Sequence, residues 1–309
     1  MSINVIRADG TWWVERDGAA TRIDIPAATT AELLANRQAI ARASGAAVPL
    51  GDLTLASPIT TPCRVVAQMV NYRSHARESG IDAAAVQPTF FRKASASVVG
   101  PTSDIVKPAH VGLLDYEVEL ALVIGAPIPV GTRITDANIA DYVAGLVLTN
   151  DVSAREVQLT KGQFYESKSY PTFTPTGPRL TLLERDEFLR LLDLRLQLSV
   201  DGVLRQDRTV ADMIHLPPAA LTTLARFQPL EPGDIVLTGT PGGTALQAPG
   251  HAVEFVARFL PPATKWKVFF DKQAKNPRYL QPGNVVTASI RTDDGAIDLG
   301  TQTCRVVAS

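Results

Sequence analysis

Residues 113–124 read LLDYEVELALVI. Leu114, Tyr116, Val118, Leu120, Leu122 and Ile124 occupy alternate positions, and Asp115, Glu117 and Glu119 sit between them. A two-residue period is the signature of a strand, with one face for a core and the other for acids. Residues two apart on a strand point the same way and stand roughly 6.5–7 Å apart. Glu117 and Glu119 therefore reach toward one region, and like charges that close require a cation or solvent. The pattern fits either half of a hard-cation site or a half-exposed strand with a wet acidic face.

A second run, residues 142–148, is apolar and ends in Thr149-Asn150-Asp151. A buried strand of this kind delivers Asp151 to a cleft at its end, though Asp also serves as a turn residue there. Three carboxylates without clustered His or Cys suit Mg²⁺ or Mn²⁺, with Ca²⁺ also compatible, and not Zn²⁺. Further out, Leu194, Leu196, Leu198 and Val200 alternate with polar residues before Asp201-Gly202, which predicts a hairpin. Residues 235–237 predict a short strand and 217–227 a helix opened by prolines. Near the start, Asp9-Gly10 and Asp17-Gly18 flank a strand over 11–15, and a helix is expected over 29–43, capped by Thr30. The expected class is a mixed, β-rich α+β protein. A small N-terminal α+β domain would span residues 1–60, and a larger β-rich domain residues 61–309.

Composition excludes several functions. Lys+Arg is 30 against Asp+Glu 31, a net charge of −1, so nothing marks the chain for nucleic acid or an anionic membrane. The longest uncharged stretch, residues 120–130, is broken by Gly125, Pro127 and Pro129 and falls short of the ~20 residues a spanning helix needs. No signal peptide is evident, and two cysteines, Cys63 and Cys304, suit a reducing compartment. A cytoplasmic location is the expectation.

Other polar residues add chemistry. Residues 71–78 read NYRSHARE, and on a helix His75 and Glu78 are i,i+3 neighbours, so Glu78 could orient His75 to accept a proton from water. Arg155 and Gln158 in SAREVQ, and Lys168 in KGQFYESK, are candidates for holding a carboxylate or a developing oxyanion. An ordinary surface pair and a solvated loop account for the same residues. TGTPGG at 238–243 is no P-loop and no GxGxxG, and the chain has neither a GxSxG elbow nor HExxH.

In order, NYRSHARE, FFRKASASVVGP, DYEVELALVIG, NDVSAREVQ, KSYPTFTPTGP and LEPGDIVLTGTP resemble the fumarylacetoacetate hydrolase family, in particular its acylpyruvase-like members. The resemblance covers about residues 60–243, with PGNVVTASI similar to the family's last strands. It implies a β-sandwich or β-roll catalytic domain, usually a homodimer, and a divalent metal on Glu117, Glu119 and Asp151. It also implies a water-activating pair, His75 and Glu78, on a lid. Lys168, with Arg155 and Gln158, would bind oxyanion and carboxylate, and Tyr72 and Thr240 would contact substrate. The implied reaction is hydrolysis of a carbon–carbon bond in a 2,4-dioxo acid, of the kind met in aromatic or sugar acid catabolism. Decarboxylase, isomerase or hydratase chemistry on a related 2-oxo acid uses the same metal-stabilised enolate, and a non-catalytic binder on the same fold is the remote alternative. Departures include Ser167 where Gly often precedes the lysine, Pro171 for a usual Asp, and AQMVNY where Gly commonly precedes NY. An extended insert, about residues 244–282, carries an amphipathic apolar stretch at 253–260 and a Lys/aromatic segment at 265–270.

Overall fold

The alternation at 194–200 becomes a strand whose Leu194, Leu196, Leu198 and Val200 are buried while the residues between them are half-buried. The same logic builds most of the chain, which a computed structural model describes over residues 2–246 and 262–309. The larger sheet has 12 strands. Its main path, in spatial order, is β4 (Ala47–Pro49), β3 (Ala19–Arg22), β2 (Thr11–Arg16), β1 (Ile3–Ala8), β14 (Thr174–Leu182), β12 (Val143–Asn150), β11 (Val118–Ile124), β17 (Ile235–Leu237), β6 (Val65–Met69) and β7 (Thr89–Lys93). β5 (Leu55–Ala56) pairs with β1, and β8 (Val98–Val99) with β14. A 5-stranded sheet runs β16 (Val203–Thr209), β15 (Leu194–Val200), β18 (Val285–Thr292), β19 (Asp298–Ala308) and β9 (Ile105–Lys107). β10 (Leu114–Asp115) pairs with β13 (Ser153–Ala154). The result is the mixed, β-rich architecture the sequence predicts.

Pairing of β1 with β14 joins the first sixty residues to the sheet that carries the acidic residues. Both faces of β11 are buried, so the expectation of a wet acidic face fails. Val118, Leu120, Leu122 and Ile124 pack into one apolar cluster, while Ala121 and Val123 face a second, shared with Val5, Val14 and Leu33 from the N-terminal region. Truncating a fully buried leucine such as Leu120 or Leu122 to Ala would cost about 2–5 kcal/mol.

The helices are short. The predicted helix over 29–43 divides into α1 (Thr30–Leu34) and α2 (Arg37–Ala41). Its cap is Thr29, not Thr30: Thr29 accepts from the Glu32 N–H and the Glu32 carboxylate answers to the Thr29 N–H, a capping box. The division falls at Asn36, whose side chain donates to the Glu32 carbonyl (2.8 Å) and offers that backbone a partner outside the helical ladder. Later come α3 (Arg73–Glu78), α4 (Ile139–Tyr142), α5 (Arg155–Lys161), α6 (Pro217–Leu224) and α7 (Pro262–Gln273). The stretch 253–260 lies outside the described residues, and the Lys/aromatic segment forms part of α7. Among the described residues no helix is long and apolar enough to cross a membrane.

Candidate active site

The strand read first is interrupted. β10 ends at Asp115 and β11 starts at Val118, leaving Glu117 in the break and Glu119 one residue into β11. Asn150, the last residue of β12, accepts the Glu117 N–H on its side-chain oxygen (2.9 Å), and the Asp151 N–H donates to the Glu117 carbonyl (2.8 Å). These two bonds fix the break against the end of β12. Carboxylate oxygens of Glu117, Glu119 and Asp151 consequently lie within 4.8 Å of one another, and all three residues are buried.

Three cations answer them. Lys168 Nζ donates to Glu117 Oε2 and Asp151 Oδ2, 2.7 Å each. Lys93 donates to Asp151 Oδ1 and to the Phe173 carbonyl (3.0 Å). Arg155 donates through Nη2 to Glu117 Oε1 (2.5 Å), through Nε to Asp115 Oδ2 (2.8 Å) and through Nη1 to Gln158 Oε1 (2.8 Å). Glu119 differs, because it accepts the Gly239 N–H (2.8 Å) and has no ion-pair partner among the described residues. Four buried acids, Asp115 included, thus face three buried bases. Burial, then the negative charges of Asp151 and Glu117, hold the Glu119 carboxyl well above the usual carboxylate range. Burial also opposes ionisation of Glu117, but Lys168, Arg155 and His75 outweigh it and pull that group down to about 2. Lys168 is raised: burial works against its charge, and Asp151 and Glu117 overcome it. In Lys93 burial prevails over Asp151, and its pKa is lowered.

This donor set fits a hard divalent cation. It is all oxygen, and one of its three carboxyl groups, Glu119, has no cation of its own among the described residues.

Around the acids is a cleft of ≈ 380 Å³, its solvent mouth included. Of the expected site residues, Glu117, Glu119, Asp151, Arg155, Gln158, Lys168, His75 and Thr240 all line it. Thr240 is fixed by donating to the Val118 carbonyl (3.0 Å) and accepting from Gln206 Nε2 (2.8 Å). His75 is brought in by α3, whose start is pinned by Asp212: that carboxylate accepts the Ser74 N–H (3.0 Å) and the Ser74 hydroxyl (2.5 Å). Asn71 ties the preceding turn to the Thr238 and His215 carbonyls (2.8 and 3.0 Å). Burial, partly offset by Glu117, lowers the His75 pKa, which favours the neutral imidazole.

Three expectations are corrected. His75 and Glu78 do share α3, but Glu78 accepts the Gly243 N–H (2.7 Å) and the buried His75 Nδ1 has no hydrogen-bond partner, so no His75–Glu78 bond forms. The TGTPGG loop supplies an unpaired N–H that competes for the Glu78 carboxylate. Tyr72 is fully buried in the larger apolar cluster and is not among the residues lining the cleft. Asp115, grouped with the other acids by alternation, is turned away by the break at Tyr116 and binds Arg155 and the N–H groups of Ala245 and Leu246 (2.8 and 3.0 Å).

Sequence reading missed Lys93, Phe91 and Phe164. Lys93 ends β7 inside FFRK, and a lone lysine closing a strand gives no periodic signal. Phe91 and Phe164 line the cleft with Met69 and Val70, and Lys168 Nζ stands 5.6 Å from the Phe91 ring centre.

Residues 64–307 match the family model described as fumarylacetoacetate (FAA) hydrolase C-terminal. The chain is 38% identical over 198 residues to the oxaloacetate tautomerase YisK of Bacillus subtilis (strain 168), covering 63% of this chain and 64% of that protein. It is 34% identical over 200 residues to the mitochondrial oxaloacetate tautomerase Fahd2a of Rattus norvegicus, covering 64% of this chain and 62% of that protein. The match therefore spans less than two thirds of either relative. Among solved structures, a probable 2-hydroxyhepta-2,4-diene-1,7-dioate isomerase from Mycobacterium abscessus has a TM-score of 0.75 at 30% identity, covering 100% of this chain and 99% of that one.

Proposed function

The chain belongs to the fumarylacetoacetate hydrolase family, and from that premise we propose that it is a metal-dependent hydrolase cleaving a carbon–carbon bond in a 2,4-dioxo acid of the acylpyruvate type. The observation that carries the reading is one cleft holding a three-carboxylate cluster, two basic side chains and a buried imidazole. Glu117, Glu119 and Asp151 would hold Mg²⁺ or Mn²⁺, which supplies Lewis-acid stabilisation of negative charge on the 2-oxo oxygen. The neutral His75 imidazole, which lines the cleft, would accept a proton from water. Lys168 and Arg155 are charged donors preset in a dry environment, suited to an oxyanion developing at the attacked carbonyl. Gln158 fixes the Arg155 guanidinium through Nη1. Release of a pyruvate-type enolate and a carboxylic acid completes the reaction. We include a homodimer in the reading, on family grounds.

A second reading is isomerisation of a 2-oxo acid at the same site. Two observations favour it: both named relatives are oxaloacetate tautomerases, and Glu78 is engaged by Gly243 instead of orienting His75. The test is the purified chain with Mg²⁺ or Mn²⁺ and a chelator control, supplied with acylpyruvates and oxaloacetate. Hydrolysis predicts loss of enol absorbance with pyruvate and a carboxylic acid in equal amounts. Accelerated keto–enol exchange of oxaloacetate with no cleavage of any acylpyruvate would replace the first reading by the second.

A further inference from the structure

The cleft lining includes two unlike sets of side chains, beside neutral polar residues such as Gln68 and Thr240. One is the ionic cluster. The other contains Met69, Val70, Phe91 and Phe164. The Phe91 and Phe164 rings meet edge to face, centres 5.2 Å apart at 73°, a favourable aromatic geometry. Lys168 over Phe91 places this apolar group directly beside the ionic one. Val70 is held at φ 47°, a conformation that β-branched residues rarely adopt. It persists because Asn71 is tied on both sides, to Thr238 and His215 by its amide and to the Ile214 N–H by its carbonyl (2.7 Å).

The cations lining the cleft are Arg155 and Lys168, and both are already paired with carboxylates. Both are also committed by the proposed reaction to the oxyanion of the substrate. Among the described lining residues no further cation is left for a carboxylate at the substrate's other end, and Gln68, whose buried amide has no hydrogen-bond partner, offers only a neutral donor. A carboxylate desolvated against two phenyl rings is penalised, whereas an aryl or alkyl group gains by burial there.

Resting on the reading above, we infer that Met69, Val70, Phe91 and Phe164 form a hydrophobic acyl subsite. The chain then prefers acylpyruvates with an aryl or alkyl substituent over 2-oxo acids that end in a second carboxylate.

The experiment compares kcat/KM of the full chain, with Mn²⁺, for benzoylpyruvate, acetylpyruvate and fumarylpyruvate. Calorimetry adds the affinities of benzoylformate and 2-oxoglutarate, which lack the 4-oxo group. Benzoylpyruvate should exceed fumarylpyruvate at least tenfold, and benzoylformate should bind more tightly than 2-oxoglutarate. Phe164→Ala should lower kcat/KM for benzoylpyruvate by ~10–100-fold, the scale of lost apolar contacts in a specificity pocket. The loss should lie mainly in KM and exceed the loss for acetylpyruvate. Phe164→Arg, which adds a cation, should move the preference toward fumarylpyruvate, and melting curves confirm that each variant is folded. Equal or better use of fumarylpyruvate by the parent chain would overturn the subsite. If no acylpyruvate is cleaved, the hydrolase reading fails, and the calorimetric pair still decides the subsite.

Discussion

Replacing Glu119 by Gln separates metal holding from fold holding. Glu119 is the one acid of the cluster without an ion-pair partner among the described residues, and its neighbours Asp151 and Glu117 repel its charge. Glutamine keeps the shape and can still accept the Gly239 N–H. The variant should therefore be at least as stable as the parent in chelator. The parent gains stability from a bound ion as RT ln(1 + [M]/Kd), about 2.7 kcal/mol at 100 times Kd. For 309 residues the unfolding entropy near Tm is roughly 0.65 kcal/mol/K, so saturating Mn²⁺ should raise the parent Tm by about 4 °C. Glu119→Gln should show almost none of that rise. Asp115→Asn is the contrasting control. It breaks a fully buried pair with Arg155 and weakens the anchoring of the Ala245 and Leu246 N–H groups, a loss of about 3–5 kcal/mol. Its Tm should fall by about 5–8 °C, from the same entropy, while the Mn²⁺ shift survives. Differential scanning calorimetry with EDTA or Mn²⁺ reads all three proteins. An undiminished Mn²⁺ shift in Glu119→Gln would refute the assignment of Glu119 as a ligand.

Lys168→Ala should lose ~10²–10³ in turnover, the usual consequence of deleting one oxyanion donor, and still bind metal by elemental analysis. Unchanged turnover would remove Lys168 from the chemistry. For His75 the sign follows from its role: the base must be neutral, and burial lowers its pKa from the ordinary 6.5. kcat/KM should accordingly be flat from pH 8 to 6.5 and decline only below, and a decline beginning above 6.5 would contradict a buried neutral base. The thiols report on the fold. Burial pushes Cys63 up to about 11 and Cys304 up to about 12, so at pH 8 only ~10⁻³ and ~10⁻⁴ of each is thiolate. Iodoacetamide should label neither within an hour in native protein and both in guanidinium, as mass spectrometry would show.

The strands were legible wherever a two-residue period met a buried face, as at 118–124 and 194–200. Glu117 and Glu119 were legible from alternation and Asp151 from its place at the end of an apolar run, although the break that presents Glu117 is held by Asn150 and Asp151 from the neighbouring strand end. Asp115 was not separable from Glu117 and Glu119, because alternation carries no sign of the break at Tyr116 and Glu117 that turns it toward Arg155. Lys93 and the pairing of Glu78 with Gly243 depend on which loops meet in space. The divided helix at Asn36 was decided by one side chain's competition for a carbonyl, an effect too local for an apolar stripe to reveal.

The most direct measurement is an anomalous difference map from crystals grown with Mn²⁺. A single strong peak in contact with carboxylate oxygens of Glu117, Glu119 and Asp151 is the expected result. A map without density there, or with Mn²⁺ only on surface acids, would mean that the cluster serves the ion pairs of Lys93, Arg155 and Lys168 and no metal.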